Sequence, residues 1–387
     1  MTGEAAIRPT SVKDLQDAVA DAARAGGRLE IRGGGSKAGV GTPERDARVL
    51  DMSGFNGAIV YDPPELVLTV GAGAHLQAVR AMVEAEGQVL PFDPVDPGPI
   101  FGQPAGAATL GGVLAAGLGG SLRLTQGAPR DHLLGFEAVS GRAEHFIAGG
   151  KVVKNVTGYD LSKLMAGSWG RLAALTEVTL KVLPRPRMRA TKLAVGLGPR
   201  EAVALMARAL GSQAEVSAAA YRPAAAGVPS MTALRLQGFP ASVEARCAML
   251  DDLFADQNWL ERLDGELCED FWSEFATLSS LAGERPLWRI SVPPSAGAGL
   301  AEALAATAAA YLLDWAGALV WTACDGDPSW LRGLAEAVGG HAMLMRGPDA
   351  LRATVPAFHP QAPGVAALEA RVRRAFDPHG VFETGRF

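Results

Sequence analysis

The sequence predicts an α+β chain with two main domains, and three observations support that prediction. At 387 residues the chain exceeds what one hydrophobic core usually serves, so it is expected to divide. Hydrophobic residues make up 48% and charged residues 20%, which is typical of globular proteins. The proline-rich stretch PRPRMR at 184–189 separates two halves that differ in their order of strands and helices.

The first half predicts short helices and strands separated by glycine. PTSVKDLQDAVADAARAGG predicts a helix that Thr10 or Ser11 caps and Gly26 ends. RLEIRG predicts a strand that runs into the loop GGGSK. The other predicted elements are a strand, helix and strand over 65–92, a hairpin over 133–153, a short helix capped by Thr157, and a strand over 172–182.

The second half predicts a ferredoxin-like layer of helices on an antiparallel sheet. From 190 to 264 the order is strand, helix, strand, strand, helix, strand, which is the order of that motif. A second, weaker cycle begins near 286 and includes a predicted helix over 298–310. The last segment, from 364 to 387, predicts a helix and a structured tail.

Charge and cysteine content exclude several function classes. A net charge of −5 argues against a nucleic-acid partner, which usually requires a basic surface. The three cysteines form no CxxC pair, so we expect no metal or iron–sulfur site and a reducing cytoplasm. Residues 97–122 carry no charge but are rich in Gly and Ala, so a buried cofactor wall is favoured over a membrane span. The polar start of the chain shows no apolar signal segment.

The loop GGGSK at 33–37 is a candidate phosphate-binding segment. It does not match the P-loop, because Ser36 precedes Lys37 and no helix follows. It does not match the dinucleotide-binding GxGxxG motif, because the helix precedes the strand. Consecutive glycines still allow several N–H groups to point at one anion. The alternative is a plain surface turn.

Three motifs together resemble the FAD-binding domain of the PCMH-type, or vanillyl-alcohol oxidase, flavoprotein family. They are IRGGGSK, the TLGG-containing segment 109–139 and the KNVTGYDL-containing segment 149–182. LPFDP, PLWRISVPP, GGHAMLMRGP and the tail 358–387 further resemble the glycolate oxidase FAD-binding subunits. The resemblance implies a two-subdomain PCMH-type FAD domain over 1–187, an α+β cap domain over 188–357, and a C-terminal helix and tail over 358–387 that return to the FAD domain.

The resemblance implies FAD as cofactor and a set of residues that bind it. These are Arg32, Gly33, Gly34, Gly35, Ser36, Lys37, Thr109, Gly111, Gly112, Gly117, Gly120, Arg130, Asp131, Lys154, Asn155 and Tyr159. Some relatives carry a histidine, bonded covalently to FAD, where this chain has Ser36, so we expect non-covalent FAD. Other interpretations are open: Gly117, Gly119 and Gly120 as simple bends, Arg130 and Asp131 as a pair with each other on a loop, and Lys154 as a solvated lysine at a helix start.

The function implied is FAD-dependent oxidation of a CH–OH group, glycolate to glyoxylate, within a complex. The implied partners are a larger FAD-linked flavoprotein subunit and an iron–sulfur subunit, in the cytoplasm or held at the inner membrane through those partners.

Catalytic residues are not identifiable: CDGDPSW lacks the histidine of the relatives' GDGN-type segment, and Arg289, Arg346 and Arg386 are carboxylate-binding candidates or ordinary surface arginines. The tail reads FETGRF where the family has FNPGR, with Glu383 and Thr384 replacing Asn and Pro. A stand-alone oxidoreductase and a structural subunit without FAD are the alternatives.

Overall fold

The computed structural model describes residues 5–43, 46–94, 96–150, 158–256 and 259–387. The chain forms two compact units. The first unit comprises Met1–Gly119, Gly127–Arg185 and Pro360–Phe387. The second unit comprises Gly120–Gln126 and Pro186–His359. The change from one unit to the other after Arg185 therefore falls inside PRPRMR.

Short helices and strands alternate before the proline-rich stretch. In chain order they are α1 Val12–Ala25, β1 Leu29–Arg32, β2 Arg48–Asp51, β3 Ala58–Asp62, β4 Val67–Gly71, α2 Leu76–Ala85, β5 Gln88–Val89, α3 Leu110–Ala116, α4 Arg123–Gln126, α5 Pro129–His132, β6 Leu133–Ser140, β7 His145–Gly149, α6 Leu161–Met165, β8 Ala173–Lys181 and β9 Leu183–Pro184. Strands β1 and β2 pair in parallel, and an antiparallel sheet has the order β3-β4-β8-β6-β7. Strand β1 thus ends beside the loop GGGSK.

Local rules explain the ends of α1. The Ser11 side chain accepts from the Asp14 amide at 3.1 Å, and the Asp14 carboxylate accepts from the Ser11 amide at 3.0 Å. This reciprocal cap satisfies two of the amides that a helix start leaves unpaired. Gly26 ends the helix at φ +66°, a conformation that glycine adopts without steric cost. The predicted cap and stop are confirmed, with Ser11 rather than Thr10 as the cap.

The predicted cap of α6 is corrected. Asp160 caps the helix by accepting from the Lys163 amide at 3.1 Å. A carboxylate three residues before the amide from which it accepts has the usual geometry of a helix N-cap. Thr157, the predicted cap, lies outside the described residues.

The second unit contains the remaining strands. In chain order the later elements are β10 Met188–Val195, α7 Pro199–Leu210, β11 Ala218–Arg222, β12 Met231–Gly238, α8 Pro240–Leu253, β13 Trp259–Asp264, α9 Gly265–Thr277, β14 Leu287–Ser291, α10 Gly297–Ala305, β15 Ala310–Asp314, β16 Leu319–Ala323, α11 Pro328–Glu336, β17 His341–Arg346, α12 Asp349–Thr354 and α13 Pro363–Phe376, of which α13 belongs to the first unit. The sheet order is β13-β10-β12-β11-β15-β16-β14-β17. Two ferredoxin-like halves therefore join through their second strands, β11 and β15.

The predicted helix over 298–310 is too long. Helix α10 ends at Ala305, the Thr307 hydroxyl donates to the Leu304 carbonyl at 2.8 Å, and Ala308 takes φ +54°. The chain then enters β15, where Ala310 pairs with Ala323 of β16. Alanine has high helix propensity, but strand pairing and burial override it here.

Residues 97–119 of the charge-free stretch contribute to the core of the first unit, and residues 120–122 belong to the second. The stretch contains the 3₁₀ turn Pro99–Phe101 and helix α3, whose Leu110 and Leu114 are fully buried. In the part of the chain that the structure describes, every helix is too short or too polar to cross a membrane.

Candidate functional site

A cavity in the first unit lies where β1 ends. Nine of the residues predicted to bind the cofactor line it: Arg32, Gly33, Gly34, Gly35, Ser36, Lys37, Thr109, Gly111 and Gly112. Helix α3, the turn before β8 with the start of that strand, the C-terminal tail, and the residues Met52 and Ala72 also contribute to its wall. The remaining lining residues are Glu30, Ile31, Ala38, Met52, Ala72, Ala115, Ala116, Ser168, Trp169, Gly170, Ala173, Leu175 and Arg386.

Glycine is required where the loop meets the segment before α3. A Cβ added to Gly34 would lie 1.4 Å from the carbonyl oxygen of Ala107. A Cβ added to Gly33 would lie 2.1 Å from the hydroxyl oxygen of Thr109. Because real side chains do not tolerate such distances, the bare main chain is what allows the two segments to touch. The Thr109 hydroxyl also accepts from the Gly112 amide at 3.3 Å, which caps α3.

Four consecutive amides of the loop have no acceptor within the described residues. The N–H groups of Gly34, Gly35, Ser36 and Lys37 donate to no backbone or side-chain oxygen of that part of the chain. The carbonyls of Gly35 and Lys37 instead accept from Ala38 and Val40, at 2.8 and 3.1 Å, and Gly35 takes φ +75°. Successive unpaired amides around a left-handed residue form a concave donor set for an anion.

Lys37 adds a buried cation to this donor set. Its side chain is buried, and Nζ lies 3.4 Å from the Ser36 hydroxyl. No carboxylate of the described residues lies within 4.0 Å of this ammonium. Burial lowers the pKa of Lys37 to about 8, the charge of Asp96 raises it, and the charge of Arg386 lowers it further. An anion in the cavity would therefore stabilise the charged form.

The C-terminal tail holds the loop in place. Arg386 donates from Nε to the Val40 carbonyl at 2.9 Å and from Nη2 to the Lys37 carbonyl. Its Nη1 also lies 3.7 Å from Glu30, a buried carboxylate on β1. From the sequence, Arg386 is a candidate for binding a carboxylate, and nothing in the sequence indicates this contact with the loop. The two partners are 346 positions apart in the chain, so no local pattern could reveal it.

Arg32 supplies a further unsatisfied donor. Its Nη2 donates to the Glu30 carboxylate at 3.2 Å, while Nε is buried and lacks a partner in the described part of the chain. Buried donors in folded proteins are normally paired. The four loop amides, the Lys37 ammonium and this Nε are therefore suited to a bound group with several anionic oxygens. The diphosphate of a dinucleotide has that chemistry. The small and apolar lining residues suit the ring systems that a dinucleotide carries on either side of its diphosphate.

Two predicted glycines lie outside the cavity. Gly117 ends α3 at φ +65°, and an added Cβ would lie 2.9 Å from the Gly167 Cα. Gly120 belongs to the second unit, where its carbonyl accepts from the Trp315 indole Nε1 at 3.0 Å. The structure therefore gives Gly117 a close-packing role and Gly120 a hydrogen-bonding one.

The remaining predicted polar residues also lie outside the cavity lining. Asp131 accepts from the Ala128 amide at 2.8 Å, which caps α5. Arg130 is exposed, and Tyr159 is 94% exposed. Lys154 and Asn155 lie outside the described residues.

Comparisons with known proteins agree with this geometry. A family described as FAD binding domain matches residues 3–149. The glycolate oxidase subunit GlcE of Escherichia coli is 34% identical over 358 residues, which is 92% of each chain. Glycolate oxidase subunit GlcD of Bacillus subtilis is 34% identical over 166 residues, 42% of this chain and 33% of its own length. The fold matches alkyldihydroxyacetonephosphate synthase with a TM-score of 0.68 at 13% identity, over 98% of this chain and 76% of that one.

Proposed function

This chain belongs to the glycolate oxidase subunit GlcE family of FAD-binding oxidoreductases, with a PCMH-type fold, and from that premise we propose that it is the FAD-binding subunit of a complex that oxidises a small 2-hydroxy acid. The proposed reaction converts glycolate to glyoxylate, with loss of two electrons and two protons. FAD, when bound, supplies the two-electron acceptor. We assign FAD binding to the first unit and a cap role to the second.

The observation that supports FAD binding most directly is the donor set of the loop. Four amides without acceptors in the described chain and one buried ammonium belong to residues that line a single cavity. Their role is to bind and orient a diphosphate through charge-assisted hydrogen bonds, which are stronger than neutral ones. Removing the cavity's positive charge should therefore weaken FAD binding without unfolding the chain.

We propose that the FAD is held without a covalent bond. Ser36 stands at the loop position where some relatives carry histidine, and a serine hydroxyl does not replace imidazole in that bond. The described lining residues include neither histidine nor cysteine. Denaturation should release FAD into the supernatant, and colour that stays with the precipitated protein would contradict this proposal.

The electron acceptor is proposed to be a separate iron–sulfur subunit, with a larger GlcD-like flavoprotein as the second partner. GlcE and GlcD are both named as glycolate oxidase subunits, which supports a heteromeric complex. The three cysteines of this chain are free, buried thiols, and their spacing offers no CxxC pair for a cluster. We expect the complex in the cytoplasm or at the inner membrane through its partners.

The test is a comparison of the purified chain with the co-expressed complex. The chain should carry FAD, seen as a flavin absorption band at close to one equivalent, and the complex should reduce its flavin when given glycolate. D-Lactate serves as the competing substrate. Rapid turnover by the isolated chain would favour a stand-alone oxidoreductase. A colourless chain after saturation with FAD and gel filtration would leave a structural subunit.

A further inference from the structure

Arg289 of the second unit lies on strand β14, on the face opposite the apolar cluster that packs against the sheet. Strand β14 buries Trp288 and Ile290 in the cluster that contains the helices' apolar residues. Because successive side chains of a strand point to opposite faces, Arg289 lies on the other face. Its direct neighbours on the adjacent strands are Trp321 of β16 and Met343 of β17.

Tryptophan rings fix the position of this arginine. The guanidinium carbon of Arg289 lies 5.2 Å from the ring centroid of Trp315 and 5.9 Å from that of Trp321. Arg123 of α4 shares the first of these rings, with its guanidinium carbon at 4.8 Å. Stacking of a guanidinium on indole is favourable and restricts the side chain. Two arginines thus contact the same tryptophan ring.

Neither arginine has an acidic partner in the described part of the chain. No carboxylate there lies within 4.0 Å of either guanidinium, and Arg289 Nη1 donates to the Ser291 hydroxyl at 3.3 Å. Asp314, the acid that acts on Arg289 through its charge, accepts from the Ser121 hydroxyl at 2.7 Å. By contrast, Arg222 of β11 in the same sheet pairs with a carboxylate, at 3.0 Å.

Burial and the neighbouring charge both act against the positive charge of Arg289. Burial, followed by the charge of Arg123, lowers the pKa of Arg289 to about 10, while Asp314 raises it. Burial also lowers the pKa of His341, and the charge of Arg289 lowers it further. Like charges on neighbouring half-buried groups repel each other, and an anion bound beside them offsets that repulsion.

We propose that Arg289, assisted by Arg123, binds the carboxylate of a small 2-hydroxy or 2-oxo acid within the second unit. The planar guanidinium fork matches a carboxylate with two parallel hydrogen bonds, and the two tryptophans orient that fork. The assignment of the acid class rests on the proposed function. The presence of a carboxylate site in this chain would make it a substrate-binding subunit rather than a carrier of FAD alone.

The test uses the full FAD-loaded chain and oxalate, a carboxylate that has no hydroxyl-bearing carbon to oxidise. Calorimetric titration should show saturable binding to the natural chain. Arg289→Lys keeps a positive charge but loses the fork, and it should bind oxalate about 10- to 100-fold more weakly. Arg222→Lys, the matched control in the same sheet, should bind oxalate as the natural chain does. Trp321→Phe should weaken binding by about threefold and provides a second variant if Arg289→Lys misfolds.

The outcomes separate this proposal from the proposed function. Equal oxalate affinity in the natural chain and in Arg289→Lys, with FAD bound in both, overturns the carboxylate site while leaving FAD binding intact. Tighter binding of inorganic phosphate than of oxalate at Arg289 also overturns it. A chain without FAD refutes the proposed function instead, and the same titration of that chain still tests Arg289.

Discussion

Replacing Lys37 with Met should stabilise the FAD-free chain and weaken FAD binding at the same time. The ammonium is buried, and its pKa falls from the ordinary 10.5 to about 8, chiefly through burial. Since the unfolded chain holds this proton more tightly than the folded chain, the charge destabilises the fold below pH 8. Methionine fills similar space without that charge, so the penalty disappears.

The size of both effects follows from the same contacts. The lowered pKa of Lys37 corresponds to about 3 kcal/mol of destabilisation at pH 7, which is the upper bound for the gain in Lys37→Met. This gain should shrink as the pH rises from about 8 toward 10.5, where the folded natural chain no longer carries the charge. A hydrogen bond from a charged donor contributes about 1.5–3 kcal/mol, so FAD should bind about 10- to 100-fold more weakly.

The assay pairs urea unfolding of the FAD-free chain with FAD titration by flavin fluorescence, at pH 7 and at pH 9.5. Lys13→Met is the control, because the Lys13 side chain is 76% exposed and far less affected by burial. It should change neither measurement by more than about 0.5 kcal/mol. If Lys37→Met destabilised the FAD-free chain and left FAD affinity unchanged, Lys37 would be a structural residue without a role in binding FAD.

Three further outcomes follow from the loop. FAD affinity of the natural chain should fall as pH rises above about 8 while that of Lys37→Met stays flat; parallel profiles would contradict the role of this charge. Gly34→Ala should weaken FAD binding by about 100-fold or more, because the added Cβ clashes with the carbonyl oxygen of Ala107. Gly27→Ala should leave FAD binding unchanged, because its added Cβ would lie 3.8 Å from the nearest atom, the carbonyl oxygen of Ala22. Arg386→Met should weaken FAD binding about tenfold by releasing the loop carbonyls, with circular dichroism unchanged; unaltered affinity would remove the tail from the site.

Local chemistry made much of the fold predictable. The ends of α1 follow from Ser11, Asp14 and Gly26, which act within a few residues of each other. The ferredoxin-like order follows from alternation and helical spacing in the segments after 190. The boundary of α10 was not predictable in this way, because alanine-rich sequence continues from the helix into β15, and pairing with β16 decides where the strand begins.

The candidate site was predictable in part. The glycine loop indicates anion binding because its residue types already restrict what the backbone can do. The clamp by Arg386 depends on a contact between the two ends of the chain. The position of Arg289 depends on strand register, which places it opposite Trp321. Neither contact leaves a local signal, and a lone arginine in sequence is by default a surface residue.

A crystal structure of the full chain with FAD would show directly what the glycine loop binds. We expect diphosphate oxygens within hydrogen-bond distance, about 2.7–3.2 Å, of the amides of Gly34 to Lys37 and of the Lys37 ammonium. A diphosphate bound elsewhere, with those four amides facing water, would contradict this expectation.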